Sequence, residues 1–248
     1  MRETQQIMGM PITVEVVGAA SAAPLAAVFA HFRAVDARFS PFRPDSEVSA
    51  LNRGELSPDA YSGELREVMA LAETTRWETR GYFDVRRPDG RIDPSGIVKG
   101  WAIARAAQLL LARGYADFFV EAGGDLQCAG HNAAGQPWRV GVRNPFDPMQ
   151  SIKTLAPGNA GVATSGSSIR GRHIYDPHGG DSALDDIVSV TVVAADIYDA
   201  DRFATAAFAM GREGIGFIET TDGLEGYAVD CDGIATATTG FKRFIAPC

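Results

Sequence analysis

The stretch Arg91-Ile92-Asp93-Pro94-Ser95-Gly96-Ile97-Val98-Lys99-Gly100-Trp101-Ala102 constrains this chain more than any other. Pro94, Ser95 and Gly96 suit a turn and a cap, and Trp101 to Arg113 is rich in Ala and Leu, so a sharp turn running into a helix is predicted. A helix start offers N–H groups to an anion. Lys99 in its first turn would add a full charge where the helix dipole already favours phosphate, and Gly96 and Gly100 would let the backbone approach closely. Phosphate binding is the first expectation. The residue order is neither Gly-x-x-x-x-Gly-Lys-Ser/Thr nor Gly-x-Gly-x-x-Gly, and taken alone it reads more simply as a glycine turn with a solvated lysine.

The elements around it change character along the chain. Pro11 to Val17 alternates like a strand, and Pro24 to Phe39 carries a helical stripe of Leu25, Val28, Phe29, Phe32, Val35 and Phe39. Ser40 to Asn52 reads as a proline loop ending in a short helix capped by Asp45 or Ser46. Ser62 to Arg80 is a second long helix that stops at Gly81, and Tyr82 to Val85 is a short extended piece. Strands then dominate: Asp117 to Glu121, a Gly123-Gly124 turn into a strand ending at Ala129, Trp138 to Arg143, Ile152 to Leu155, Gly161 to Ala163 and the valine-rich Ile187 to Ala194. Helices at Tyr198 to Met210 and Glu213 to Thr220 precede two short strands around Asp232-Gly233. This order predicts an α+β fold with no internal repeat.

A chain of 248 residues with 46% hydrophobic and 22% charged residues is long enough to bury a full core as one large domain or as two small ones. The net charge of −8, without a dense Lys/Arg run, argues against nucleic acid as a partner. An acidic protein that holds a pyrophosphate must neutralise it locally, which points toward a divalent ion. Cys128, Cys231 and Cys248 are far apart and show no Cys-x-x-Cys spacing, as expected in a reducing compartment. No apolar run reaches the length of a membrane span, and Met1 to Gly9 lacks the build of a signal peptide, so a cytoplasmic location is expected.

Three further segments carry chemistry. Asp201 and Thr205, four apart on a predicted helix, project from one face and can share a hard cation such as magnesium, although a solvated helix face explains the same spacing. Thr164, Ser165 and Gly166, with Ser167 and Ser168, suggest a flexible turn offering hydroxyls and amides to a phosphate, or an ordinary Ser/Gly loop. His173, close to Asp176, could transfer a proton near neutral pH, or be structural.

Taken in order, these pieces resemble the ApbE family of FAD:protein FMN transferases. The matching segments are Met8-Gly9-Met10, Phe39-Ser40-Pro41-Phe42 with Ser46 and Leu51-Asn52, Gly81-Tyr82-Phe83-Asp84, Asp93 to Ala102, Ala122-Gly123-Gly124-Asp125, Ala163-Thr164-Ser165-Gly166, His173 with Asp176-Pro177, and Asp201 with Thr205. The resemblance implies a single T-shaped α+β domain over residues 1–248, of mixed or antiparallel strands with helices, holding FAD in a cleft with Mg2+ near its pyrophosphate. The metal would be held by Asp201, Thr205 and the carbonyl of Gly96. FAD would be contacted by Met10, Phe42, Asn52, Ser95, Lys99, Gly123, Gly124, Asp125, Thr164, Ser165, Gly166 and His173. His173 and Lys99 would be catalytic, and Asp93 would brace the turn. The implied reaction moves FMN from FAD to a Thr or Ser hydroxyl of an acceptor flavoprotein and releases AMP. The same residues would serve an FAD pyrophosphatase, or an FAD-binding protein without turnover. Met10 stands at an FAD-contacting position where the family usually has threonine, while the Asp93-Pro94-Ser95-Gly96-Ile97-Val98-Lys99-Gly100-Trp101 variant of the motif and Ala104, where aspartate is common, suggest a subgroup.

Overall fold

The computed structural model describes residues 1–166, 177–178 and 186–247. Met8 and Gly9 both take left-handed backbone angles (φ 55° and 71°) and form a two-residue turn between Arg2–Ile7 (β1) and Met10–Val16 (β2), which pair with Ile7 opposite Met10. Positive φ at both turn positions matches the twist of the flanking strands. Sequence patterning misses β1 because it is a polar edge strand, ordered by its partner and not by its own alternation.

The sheet continues through Phe118–Ala122 (β3), Asp125–Ala129 (β4), Gly161–Gly166 (β7), Ile187–Ala194 (β8), Glu225–Asp230 (β9) and Ala235–Ala237 (β10). Among the described residues it has eight strands, ordered β1-β2-β3-β4-β7-β8-β9-β10, with every pair antiparallel. Val140–Arg143 (β5) and Ser151–Leu155 (β6) form a separate hairpin. Thr164, Ser165 and Gly166 therefore lie on a strand and not on the flexible turn suggested by their composition.

Helices Ala23–Phe39 (α1), Gly63–Glu78 (α3), Ser95–Ala112 (α4) and Ile197–Ala209 (α5) bring their apolar residues to one face of the sheet. Phe29 and Phe32 are fully buried there, each worth about 1.5–3 kcal/mol relative to exposure. A second cluster on the other face joins Leu126, Cys128, Val162, Val193 and Val229 to Trp138, Val142 and Leu155 around the β5–β6 hairpin. Strand β8 is thus covered on both sides, which explains its nearly unbroken run of buried valines.

Ser62 caps α3 by accepting the Leu65 N–H at 3.1 Å, and Asp196 caps α5 by accepting the Tyr198 N–H at 2.7 Å. Of the two caps expected for Glu47–Asn52 (α2), Ser46 is the one used, accepting the Ser49 N–H at 3.0 Å. Helix α4 begins at Ser95, so Lys99 lies beyond its first turn. Gly96 and Gly100 lower the helix propensity of this start, and both sit at close contacts: a Cβ on Gly96 would lie 3.2 Å from the Phe83 ring, and one on Gly100 would lie 2.7 Å from Asp201 Cβ. Tyr82 to Val85 forms no strand; the nearest pairing is a single bridge between Arg86 and Ile92. The chain closes through Gly214–Thr220 (α6) and the β9–β10 turn at Asp232-Gly233.

Candidate functional site

Gly100 is where α4 and α5 cross, and the close approach it permits organises the site. Its N–H donates to Asp201 Oδ2 at 2.7 Å, while Lys99 Nζ lies 3.1 Å from Asp201 Oδ1. The same ammonium forms an ion pair with Asp125 Oδ2. Asp125 Oδ1 accepts the Thr164 N–H at 2.8 Å, tying β4 to β7. Burial pushes the Asp201 carboxyl up to about 7, opposed by Lys99 and by the Gly100 N–H, while the charge on Asp125 pushes in the same direction as burial.

Around this core opens a cleft with about 1470 Å3 of empty space, counted out through its open mouth. Ser95, Gly96 and Lys99 come from α4, Gly123, Gly124 and Asp125 from the β3–β4 hairpin, Thr164, Ser165 and Gly166 from β7, and Asp201 and Thr205 from α5. Eleven residues singled out from sequence thus share one cleft. Met10 lies outside its wall, partly buried against the core. Phe42 is 92% exposed and also off the wall. Asn52 clamps the Ile92 backbone, its Oδ1 accepting at 2.8 Å and its Nδ2 donating at 2.9 Å, and so holds the approach to α4. His173 and Asp176, with Ser167 and Ser168, lie outside the described residues.

The cleft also takes in Phe83, Asp84, Arg87, Gly141, Arg143, Pro145 and Ser189, none of which the sequence reading assigned to it. Phe83 and Asp84 sit within a motif already noted, Gly81-Tyr82-Phe83-Asp84, which was the available signal. Arg87 follows Arg86 in a loop and Arg143 ends a short strand, and local patterning carries nothing that marks either for the cleft. Asp93 braces the turn before α4: its Oδ1 accepts the Ser95 N–H at 3.1 Å, and its Oδ2 lies 3.2 Å from Arg87 Nη1.

Backbone donors in the cleft are largely engaged within the protein. Gly123 and Gly124 take φ values of 61° and 102°, which glycine adopts without strain. The Gly123 N–H donates to the Pro11 carbonyl at 3.1 Å, and the Gly124 N–H to Glu121 Oε1 at 2.6 Å. At the start of α4, the Ile97 and Val98 N–H groups both donate to the Pro94 carbonyl.

The donor set suits a hard cation. Thr205 Oγ1 is 3.4 Å from Ser165 Oγ, and Gly96 and Asp201 line the same cleft where α4, α5 and β7 converge. Among the described residues no group of three or more His, Cys, Asp or Glu could hold a metal. An ion here would depend on neutral oxygens beside Asp201, as magnesium accepts.

The fold and cleft define an antiparallel α+β protein with an open cleft at a crossing of two helices over the sheet. The ApbE family model matches residues 8–87 and 85–228, and the chain belongs to that family. It is 31% identical over 169 residues to the FAD:protein FMN transferase of Salmonella typhimurium, covering 64% of this chain and 47% of the relative. It is likewise 31% identical over 177 residues to the enzyme of that name from Klebsiella pneumoniae, covering 68% and 49%. The chain thus spans about half the length of the curated relatives it matches. The structure of the flavin transferase ApbE from Vibrio cholerae superposes with a TM-score of 0.86 at 25% identity over 98% of both chains. The ApbE protein from Thermotoga maritima shares the fold with a TM-score of 0.85 at 22% identity, over 100% of this chain and 99% of that one. Among the described residues no helix is long and apolar enough to cross a membrane.

Proposed function

We propose that the protein is a magnesium-dependent FAD:protein FMN transferase that moves FMN from FAD to a Thr or Ser hydroxyl of an acceptor flavoprotein and releases AMP. One observation carries this reading: Asp201, Thr205, Ser165 and Gly96 line one open cleft beside the Lys99–Asp125 pair, with the Thr205 and Ser165 hydroxyls 3.4 Å apart. The names of the matched relatives and family membership support it.

In the proposed reaction the acceptor oxygen bonds to the FMN phosphorus, the phosphoanhydride bond to AMP breaks, and the hydroxyl proton is lost. Magnesium, when bound by Asp201, Thr205 and the Gly96 carbonyl, would offset charge on the phosphates and on the leaving AMP. Asp125 and Asp201 hold Lys99 in place, and Gly100 holds Asp201. Gly123, Gly124, Thr164, Ser165 and Gly166 shape the wall along which FAD would lie. His173 would take the proton from the acceptor hydroxyl.

The test is incubation with FAD, magnesium and acceptor peptides carrying Asp-Gly-x-Thr-type motifs, followed by mass spectrometry. A covalent FMN adduct with released AMP, dependent on magnesium and lost in Asp201→Ala, is the expected result. Free FMN and AMP without adduct would make the protein a pyrophosphatase, and intact bound FAD would leave it without turnover. Unchanged rates in Asp201→Ala at saturating FAD and magnesium would refute the metal assignment. His173→Ala should slow transfer and spare FAD binding; a large loss of binding would count against its role as base.

A further inference from the structure

We propose that Arg143, on the β5–β6 hairpin, binds the phosphates of the dinucleotide. The proposal rests on the FAD reading of the cleft and assigns to β5 the anion contact that sequence patterning placed on α4.

The reasoning begins with which positive groups an entering diphosphate would meet. Arg87, Lys99 and Arg143 are the cations on the cleft wall among the described residues, facing Asp84, Asp93, Asp125 and Asp201. Lys99 is shared between Asp125 and Asp201, and Arg87 is paired with Asp93. Their charges are largely balanced before any ligand arrives. The N–H groups of Gly123, Gly124 and Ser95 are also already donated to protein oxygens. Arg143 differs: among the described residues it makes no ion pair, and its electrostatic neighbour is Glu121, whose charged form it favours from a distance. Glu121 is the acceptor of the Gly124 N–H, so Arg143 stands near the glycine turn that precedes Asp125.

The hairpin aims this side chain. Val142 is 2% exposed and anchored in the second core, so alternation turns Gly141 and Arg143 to the other face, and both line the cleft. The β5–β6 register shifts between Val142 and Arg143. An irregularity of that kind bends the strand and re-aims the residue beside it. A guanidinium so placed can give two parallel N–H bonds to phosphate oxygens, which an ammonium held by two carboxylates cannot.

The test uses FAD fluorescence titrations of wild type, Arg143→Ala and Arg143→Lys at low and at high sodium chloride, with thermal midpoints as a control for folding. Arg143 is exposed, so both variants should melt with the wild type. Arg143→Ala should raise the Kd for FAD by about tenfold or more and flatten its dependence on salt. Arg143→Lys, which keeps the charge and loses the fork, should fall between the two. A Kd for Arg143→Ala within about twofold of wild type would overturn the assignment, as would a loss whose salt dependence matches that of the wild type. Failure of the wild-type chain to bind FAD would overturn the flavin reading and this assignment together, whereas an unaffected Arg143→Ala variant of an FAD-binding chain overturns this assignment alone.

Discussion

Gly100→Ala should damage fold and site together, because the α4–α5 crossing has no room for a methyl group. The added Cβ would lie 2.7 Å from Asp201 Cβ, 3.0 Å from Asp201 Oδ2 and 3.0 Å from the Ile197 carbonyl oxygen. Forcing an extra carbon into a packed interior costs about 1–3 kcal/mol. Displacing Asp201 also weakens the 2.7 Å bond from the Gly100 N–H to a carboxylate, a class worth about 1.5–3 kcal/mol. Alanine recovers about 1 kcal/mol of helix propensity, leaving a net loss of about 1.5–5 kcal/mol. Urea unfolding measures it, and the thermal midpoint should fall by at least about 3 °C in a chain of this length. Gly216→Ala in α6 is the matched control, since its Cβ would meet nothing within 4 Å and it should stabilise by about 0.5–1 kcal/mol. Equal signs for the two variants would refute the crossing as the cause. Gly100→Ala should also lose the magnesium dependence of any turnover, because Asp201 can no longer hold its place.

Other expectations follow from burial and hydrogen bonding. Burial holds the Glu121 carboxyl above the usual range, partly offset by the Gly124 N–H and Thr13. A carboxyl raised in the folded state supplies stability below its unfolded pKa and loses it as pH rises through the folded value, so Glu121→Gln should gain on wild type as pH rises from the ordinary carboxylate range toward neutrality. Parallel urea midpoints across that span would contradict this. Burial pushes the Cys128 thiol up to about 12, while Cys231 is exposed. An alkylating reagent followed by peptide mapping should therefore find Cys231 modified in the native protein and Cys128 only after denaturation; rapid native labelling of Cys128 would mean that its strand opens. Ser46 is 1% exposed, accepts the Ser49 N–H and donates to the Ser40 carbonyl, so Ser46→Ala should cost about 1–2 kcal/mol in urea unfolding, and a change within error would remove it as the cap of α2.

Much of the framework was legible because its elements carry their own signals. The stripe from Leu25 to Phe39, the valines of β8 and the glycine turn at Gly123-Gly124 each announce an element through periodicity or through a backbone angle that glycine favours. Order-preserving motifs likewise marked Asp201, Thr205, Asp125 and Ser165, which the fold gathers in one cleft. Strand β1 was not legible, and neither was the packing role of the glycines near the start of α4. The strand takes its pairing from a neighbour, and Gly96 and Gly100 make close contacts with residues distant in the chain.

Local pattern therefore determined most element types and the α+β class, while the polar groups of the cleft were named by the ordered motifs of the family resemblance. Tertiary structure decided how those groups spend their charge. Lys99 looks like a free cation beside a helix start, yet the crossing at Gly100 and the β4–β7 pairing place it between Asp125 and Asp201. Arg143 carries no local signal and comes to the cleft because Val142 is anchored in a core on the far side of the sheet. The physical reason is one of range: periodicity and turn chemistry act over a few residues, whereas charge pairing and packing are settled by groups that are distant in the chain and meet only once the sheet and helices have closed on each other.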